Sequence, residues 1–186
     1  MRIISGKFKG KKLLLPVDKT TRPLKDLVKE SIFNLIEHSN KINIDIEKSI
    51  ILDLFSGSGS FGLECLSRNS KKIYFFENYP NAVKILNMNI SNLKEKSKCE
   101  IIEDDCFNYF DEKKRLNILF DIIFIDPPFK ENKINRLIEN IIEKKYLNKN
   151  GIIILHRHKK DNIQITKKLK IFDERIYGIS KIYFGN

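Results

Sequence analysis

From residue 50 onward, short apolar runs alternate with segments of helical period, and this alternation constrains the fold more than any other feature. The runs at 50–54, 72–76, 99–103, 121–125 and 151–155 are rich in Ile, Leu, Phe and Tyr and have the length of strands. Helical patterns lie between them at 60–69, 80–94, 105–113 and 133–145. Strands that are apolar throughout are buried on both faces, and helices between them supply the cover. The pattern predicts an α/β fold around a parallel sheet. Residues 170–176 and 179–184 read as two further strands joined by a tight turn at Tyr177-Gly178, so the chain closes on an antiparallel hairpin.

In an open α/β sheet, ligands bind where strands end and loops begin. The first such loop is Asp53-Leu54-Phe55-Ser56-Gly57-Ser58-Gly59, after Ile50-Ile51-Leu52. Gly57, Gly59 and Gly62 satisfy G-x-G-x-x-G between a strand and a helix, a weak pattern shared by several nucleotide cofactors. Glycines let the backbone turn sharply and approach a ligand, and the helix N-terminus offers free N–H groups. Asp53 is atypical of a pyrophosphate site; a carboxylate there suits a cationic portion such as an α-ammonium group. The bland reading is a tight turn capped by Asp53. Glu77 ends the second strand about 20 residues past the glycine loop, where an acidic residue accepts both ribose hydroxyls. Asp104-Asp105 ends the third strand. Asp105 could bond an adenine amino group while the Cys106 N–H bonds a ring nitrogen; capping the helix that follows is the compatible alternative.

The second loop, Asp126-Pro127-Pro128-Phe129 after Asp121-Ile122-Ile123-Phe124-Ile125, is more specific. Two prolines hold Asp126 and the local carbonyls in a stiff arc. Those oxygens can grip an exocyclic amino group, and Phe129 can stack on a base that is unpaired or flipped. Positioning of two reactants would supply the main chemical gain, with Asp126 available as a general base. The competing reading is a rigid surface turn with one exposed Phe.

The 186 residues suggest one domain with a small appendage, divided at 1–23 and 24–186. Lys and Arg number 35 against 24 Asp and Glu, a net charge of +11. That balance favours a polyanionic partner, most simply nucleic acid, although a Lys/Ile/Asn-rich composition alone can follow codon bias. Position supports the first reading. Arg2, Lys7, Lys9, Lys11, Lys12, Lys19, Arg22 and Lys25 crowd the N-terminus with only Asp18 opposing them. Residues 2–15 read as a β-hairpin or ribbon turning at Gly6 and Gly10, residues 16–23 as a linker, and residues 24–38 as an amphipathic helix. The basic ribbon, with Arg22, is expected to lie on RNA phosphates; the competing reading is a solvated edge made basic to deter strand pairing.

Cys65, Cys99 and Cys106 form no C-x-x-C pair, which argues for a reducing compartment. Leu13-Leu14-Leu15 is too short for a signal-peptide core, and no apolar stretch is long enough to span a bilayer. A cytoplasmic protein with no membrane partner is expected. His156 and His158 would face one side of a strand, but two histidines without a third ligand make a poor metal site, so no metal is expected and a surface or RNA-edge role is assigned to them. Lys113-Lys114-Arg115 and Glu143-Lys144-Lys145 read as solvated helix ends.

With both loops in place, the chain resembles class I S-adenosylmethionine-dependent methyltransferases, and more narrowly the bacterial 16S rRNA guanine-N2 methyltransferases of the RsmD type. The likeness runs nearly end to end: Arg2 to Leu13, Arg22-Pro23 with Val28 to Asn34, Asp53 to Gly62, Glu77, Asp105, Asp126 to Phe129, and the Tyr177-Gly178 tail. The resemblance implies a Rossmann-like seven-stranded sheet with an antiparallel last strand. It implies S-adenosylmethionine as cofactor, with Asp53, Gly57 and Gly59 holding the methionine part, Phe55 and Ser56 also in the cofactor site, Glu77 on the ribose, and Asp105 with Cys106 on the adenine. Asp126 and Pro127 would hold the guanine amino group, beside Pro128 and Phe129. The implied partner is 16S rRNA in an assembled or partly assembled small subunit, met by a monomer. Leu24 replaces a Thr usual in the family, and Leu27 replaces an Arg. Alternatives kept open are adenine-N6 methylation of DNA or RNA, protein-glutamine methylation, a nicotinamide oxidoreductase, and a non-catalytic RNA-binding protein of the same fold.

Overall fold

The computed structural model describes residues 1–17, 24–112 and 116–186. Lys19, Arg22 and the Lys113-Lys114-Arg115 run lie outside the described residues. The strands are β1 (Ile50–Leu54), β2 (Lys72–Phe76), β3 (Cys99–Ile102), β4 (Phe120–Ile125), β5 (Leu147–His158), β6 (Ile171–Tyr177) and β7 (Ser180–Gly185). The α-helices are α1 (Asp26–His38), α2 (Ser60–Ser67), α3 (Pro80–Leu93), α4 (Cys106–Asp111) and α5 (Ile134–Glu143). The seven strands form one sheet in the order β3-β2-β1-β4-β5-β7-β6. β1 to β5 pair in parallel, and β7 runs antiparallel between β5 and β6. The expected parallel sheet with its closing antiparallel hairpin is therefore observed.

Side chains alternate across a strand, so neighbouring residues serve different cores. Ile51, Phe75, Ile122, Phe124 and Ile154 face α1, α2 and α3. Leu52, Leu54, Phe76, Ile123 and Leu155 face α4 and α5. On the first face, Phe33, Phe61 and Phe124 stack in series with centroids 5.3 and 4.1 Å apart, tying α1 to α2 and α2 to β4. On the second, Ile134, Leu137, Ile138 and Ile141 form the buried stripe of α5 at helical spacing.

The N-terminal segment forms a shorter ribbon than expected. Its two arms pair through the antiparallel bridge Arg2 to Lys12, with the Ile3, Gly10 and Leu13 N–H groups donating to the Lys11, Ile3 and Met1 carbonyls. The cause is competition for backbone hydrogen bonds. The N–H groups of Ile4 and Ser5 donate to the Glu64 carboxylate at 2.8 and 2.9 Å, and that of Phe8 donates to Ser67 Oγ at 2.9 Å. Those donors are thus spent on α2 and not on an opposing strand. Glu64 is fully buried beside fully buried Lys29, 3.5 Å away, with Arg68 at 3.2 Å. Lys29 donates to the Arg2 carbonyl at 2.7 Å. Burial lowers the Lys29 pKa, and Glu64 opposes that shift. Ile3 and Leu13 complete the docking by entering the first core.

β5 is also longer than expected. It gains residues at both ends because β4 pairs with it from Leu147 and β7 pairs with it through His158. The polar Asn148-Lys149-Asn150 stretch hides the first extension in the sequence. Among the described residues, no helix is long and apolar enough to cross a membrane.

Candidate active site

β1 lies between β2 and β4, so the chain switches direction across the sheet at β1, and a crevice opens above the carboxyl ends of these strands. A cavity of about 460 Å³ occupies it, within the range of small-molecule sites. Asp53, Phe55, Ser56, Gly57, Glu77, Asp126, Pro127, Pro128 and Phe129 all line it. Two loops some seventy residues apart in sequence thus share one cavity.

The glycine loop is held from below. Ser56 donates from its N–H to the Phe76 carbonyl at 3.0 Å and from Oγ to the Asp53 carbonyl at 2.6 Å. The Gly57 N–H donates to Glu77 Oε2 at 2.7 Å, while Glu77 Oε1 accepts from the Asn78 and Tyr79 N–H groups at 3.0 and 2.9 Å. Glu77 therefore fastens the loop as well as facing the cavity. Gly59 caps α2 at φ 85°, a left-handed conformation that favours glycine, and a Cβ there would meet Leu86 at 2.5 Å. At Gly62 a Cβ would fall 2.3 Å from the Phe75 ring, so this glycine permits close helix–strand packing. Phe55 adopts φ 61°, a strained conformation for a bulky residue, at the cavity wall.

Asp53 is 2% exposed, and its Oδ2 accepts the Gly62 N–H at 2.9 Å. Burial pushes its pKa up to about 8, and the nearby Asp126 and Glu77 carboxylates add to the rise. Three carboxylates around one cavity make it complementary to a cation.

Asp105 and Cys106 are not among the residues lining the cavity. Asp105 caps α4, accepting the Phe107 and Asn108 N–H groups at 2.8 and 3.1 Å. It neighbours the cavity through Asn78, whose side-chain nitrogen is 3.5 Å from Asp105 Oδ2. Cys106 is buried, and burial pushes its thiol pKa up. Asn78 and Tyr79 line the cavity and were not singled out from the sequence, although their place just after a strand-end carboxylate was a usable signal. Leu24 and Phe61 also line it. The sequence marks Leu24 only as a departure from the family pattern and Phe61 not at all, because packing alone brings α2 and the segment leading into α1 over the crevice. Leu24 thus faces the cavity, whereas Leu27 is 63% exposed.

The surface role assigned to His156 is corrected. This residue is 2% exposed, and its Nδ1 lies 2.8 Å from Asp126 Oδ1. Pairing with β7 extends β5 beyond the apolar run and carries His156 into the interior. The same-side expectation for the two histidines agrees with the Phe129 ring, which stands edge-on to His156 at 5.8 Å and to His158 at 5.0 Å. Arg157 is buried between them. Its guanidinium donates to the Phe129 and Glu131 carbonyls at 2.9 and 3.0 Å and pairs with Asp161. The fork of donors suits this multi-carbonyl grip, which Lys could not reproduce.

The basic turn lies away from the cavity. Ser60 at the start of α2 lines the cavity, while Ser67 at its end accepts the Lys7 and Phe8 N–H groups. The length of α2 from Ser60 to Ser67 separates these points by roughly 10 Å at ~1.5 Å per residue. Lys7 pairs with Glu95, and Lys11 lies over the Phe8 ring. Lys9 and Lys12 are exposed, and Arg2 reaches Asp26 at 3.4 Å. Among the described residues, no group of three or more His, Cys, Asp or Glu could hold a metal ion.

The whole chain, residues 1–186, matches the family model described as "Conserved hypothetical protein 95". Ribosomal RNA small subunit methyltransferase D of Haemophilus influenzae is 32% identical over 96% of this chain and 90% of its own length. The protein of that name from Buchnera aphidicola (Acyrthosiphon pisum) is 30% identical over 97% of this chain and 90% of its own. A solved H. influenzae structure, described as that of a candidate methylase, superposes with a TM-score of 0.78 at 32% identity, covering 100% of this chain and 97% of that one. The fold, the glycine loop and the end-to-end likeness agree, and the chain belongs to the conserved hypothetical protein 95 family, that of the ribosomal RNA small subunit methyltransferase D proteins.

Proposed function

We propose that this protein uses S-adenosylmethionine to methylate the exocyclic N2 amino group of a guanine in small-subunit (16S) ribosomal RNA. The observation that carries this reading is the shared cavity. Buried Asp53, half-buried Glu77 and the Asp126–Phe129 loop open into the same space. The names of the relatives support ribosomal RNA as the substrate class.

The residues present fit the cofactor. S-adenosylmethionine would supply an electrophilic methyl group on its sulfonium. Asp53, held at about 8 by burial and by two neighbouring carboxylates, gains most from a cationic ligand portion. Glu77 faces the cavity with a carboxylate already oriented by three backbone N–H groups, so it meets ribose hydroxyls without reorganising. Asp105 and Cys106 border the site beyond Asn78 and would serve the adenine end. Asp126 and the Pro127 carbonyl would orient the target amino group, and Asp126 would take its surplus proton. Phe129 would stack on the flipped base.

Glu77→Ala is expected to raise the cofactor Kd by roughly 10- to 100-fold, the size of a lost hydrogen bond to a charged group. Calorimetric titration checks this, and an unchanged Kd would refute the ribose role. The exposed lysines would add phosphate contacts at a distance from the chemistry. Neutralising Lys9, Lys11 and Lys12 together should flatten the plot of log K against log salt by about 2–3 units, since each phosphate contact contributes ~0.7–0.9. An unchanged slope would move the RNA surface elsewhere.

The deciding experiment offers labelled S-adenosylmethionine with small subunits, naked 16S rRNA and DNA, followed by nucleoside mass spectrometry. N2-methylguanosine is expected. N6-methyladenine would select the adenine reading, and cofactor binding without transfer would point to a non-catalytic RNA-binding protein.

A further inference from the structure

Two devices already stiffen the backbone of the Asp126–Phe129 loop. Pro127 and Pro128 restrict the main chain, and Arg157 grips the Phe129 and Glu131 carbonyls. Both act on backbone atoms; at the Asp126 carboxylate itself, β5 supplies a direct side-chain contact. His156 Nδ1 lies 2.8 Å from Asp126 Oδ1, across thirty residues of sequence. An ionised carboxylate only accepts, so in a pair with one Nδ1 would carry the proton and donate. The imidazole itself has little freedom. It is buried within β5, paired to Ile182 of β7, with the Phe129 ring standing against it.

We propose that His156 is a positioning residue, which holds the Asp126 carboxylate at the angle where it receives the target amino group. The contact exists whatever the reaction, but its consequence for turnover rests on the methyl-transfer reading. His156 touches neither reactant in this role. It acts through Asp126, as an outer residue orients a metal-bound or catalytic one. Phe129 packs against the same imidazole, so one residue of β5 couples the orientation of the carboxylate to that of the stacking ring.

The test compares His156→Leu, which removes the donor, with His156→Asn, which keeps an N–H at a similar reach. With saturating RNA, His156→Leu should lower kcat by roughly 10- to 100-fold, the scale of a small misplacement of a catalytic group. The cofactor Kd should change by less than about twofold, because only the turnover step depends on the carboxylate angle. His156→Asn should recover most of the lost kcat. Wild-type kcat in the Leu variant would overturn the proposal. So would an Asn variant as impaired as the Leu variant when both melt at the wild-type temperature.

A second measurement needs no activity. Long-range ¹H–¹⁵N spectra of the wild type should show His156 protonated at Nδ1, with that preference lost in Asp126→Ala. A His156 protonated at Nε2 alone in the wild type would overturn the pairing. This measurement decides the matter if the Leu variant fails to fold. It also decides the pairing if the wild type transfers no methyl group, an outcome that would defeat the methyl-transfer reading separately.

Discussion

Asp126→Ala is expected to leave S-adenosylmethionine binding nearly intact and to reduce methyl transfer by about a hundred- to ten-thousand-fold, the range lost with a positioned acid–base group. The separation follows from geometry. The glycine loop and Glu77 are braced by hydrogen bonds to the Phe76 and Asp53 carbonyls and from the Tyr79 N–H, and these bonds do not involve the Asp126 side chain. Asp126 stands on the other wall, at the end of β4, bonded to His156. Single-turnover assays with labelled cofactor measure the loss, and calorimetry measures the binding. Turnover at the wild-type rate would sink the assignment of Asp126. A parallel collapse of cofactor affinity would mean that the two walls are not independent.

Asp53→Asn is expected to stabilise the cofactor-free protein at pH 8 while impairing cofactor binding. Burial raises the Asp53 pKa from about 3.8 to about 8. Between those values the folded state holds a proton that the unfolded chain has released. Folding stability therefore falls as pH rises through this window, by about 1.4 kcal/mol per pH unit at most, and levels off above about 8. Asparagine keeps the shape and the acceptor for the Gly62 N–H but cannot ionise. The variant should match the wild type near pH 4 and exceed it by a few kcal/mol near pH 8. Urea melts of both proteins across this range isolate the effect, because every other titrating group is common to them. Identical pH slopes would show that Asp53 is not a strained carboxylate. The lost charge should also weaken S-adenosylmethionine binding, which links the cost in stability to the ligand that would repay it.

Much of this architecture is legible in the residues. The runs Ile51-Leu52 and Ile122-Ile123-Phe124 can only be strands buried on both faces, and they are so buried. Asp53, Glu77 and Asp126 were found because each is a carboxylate at the end of an apolar run, and all three line one cavity. Local signals were weaker where partners are distant. Residues 2–15 carry the alternation and glycines of a hairpin, yet Glu64 and Ser67 capture their N–H groups from sixty residues away. Asp105 carried two compatible readings, and its bonds to Phe107 and Asn108 establish the capping one.

The sequence by itself determined the α/β class and the strand ends that carry carboxylates. These properties depend on periodicity, on proline and glycine geometry, and on spacing along the chain, all of which are local. Only the tertiary structure decided that His156 serves Asp126, that Arg157 clamps the loop, and that the basic turn stands a helix length from the cavity. The reason is that each of these depends on which strand pairs with which. β7 carries β5 three residues beyond its apolar run, and that extension converts His156-Arg157, with the look of a surface, into the buried frame of the Asp126–Phe129 loop.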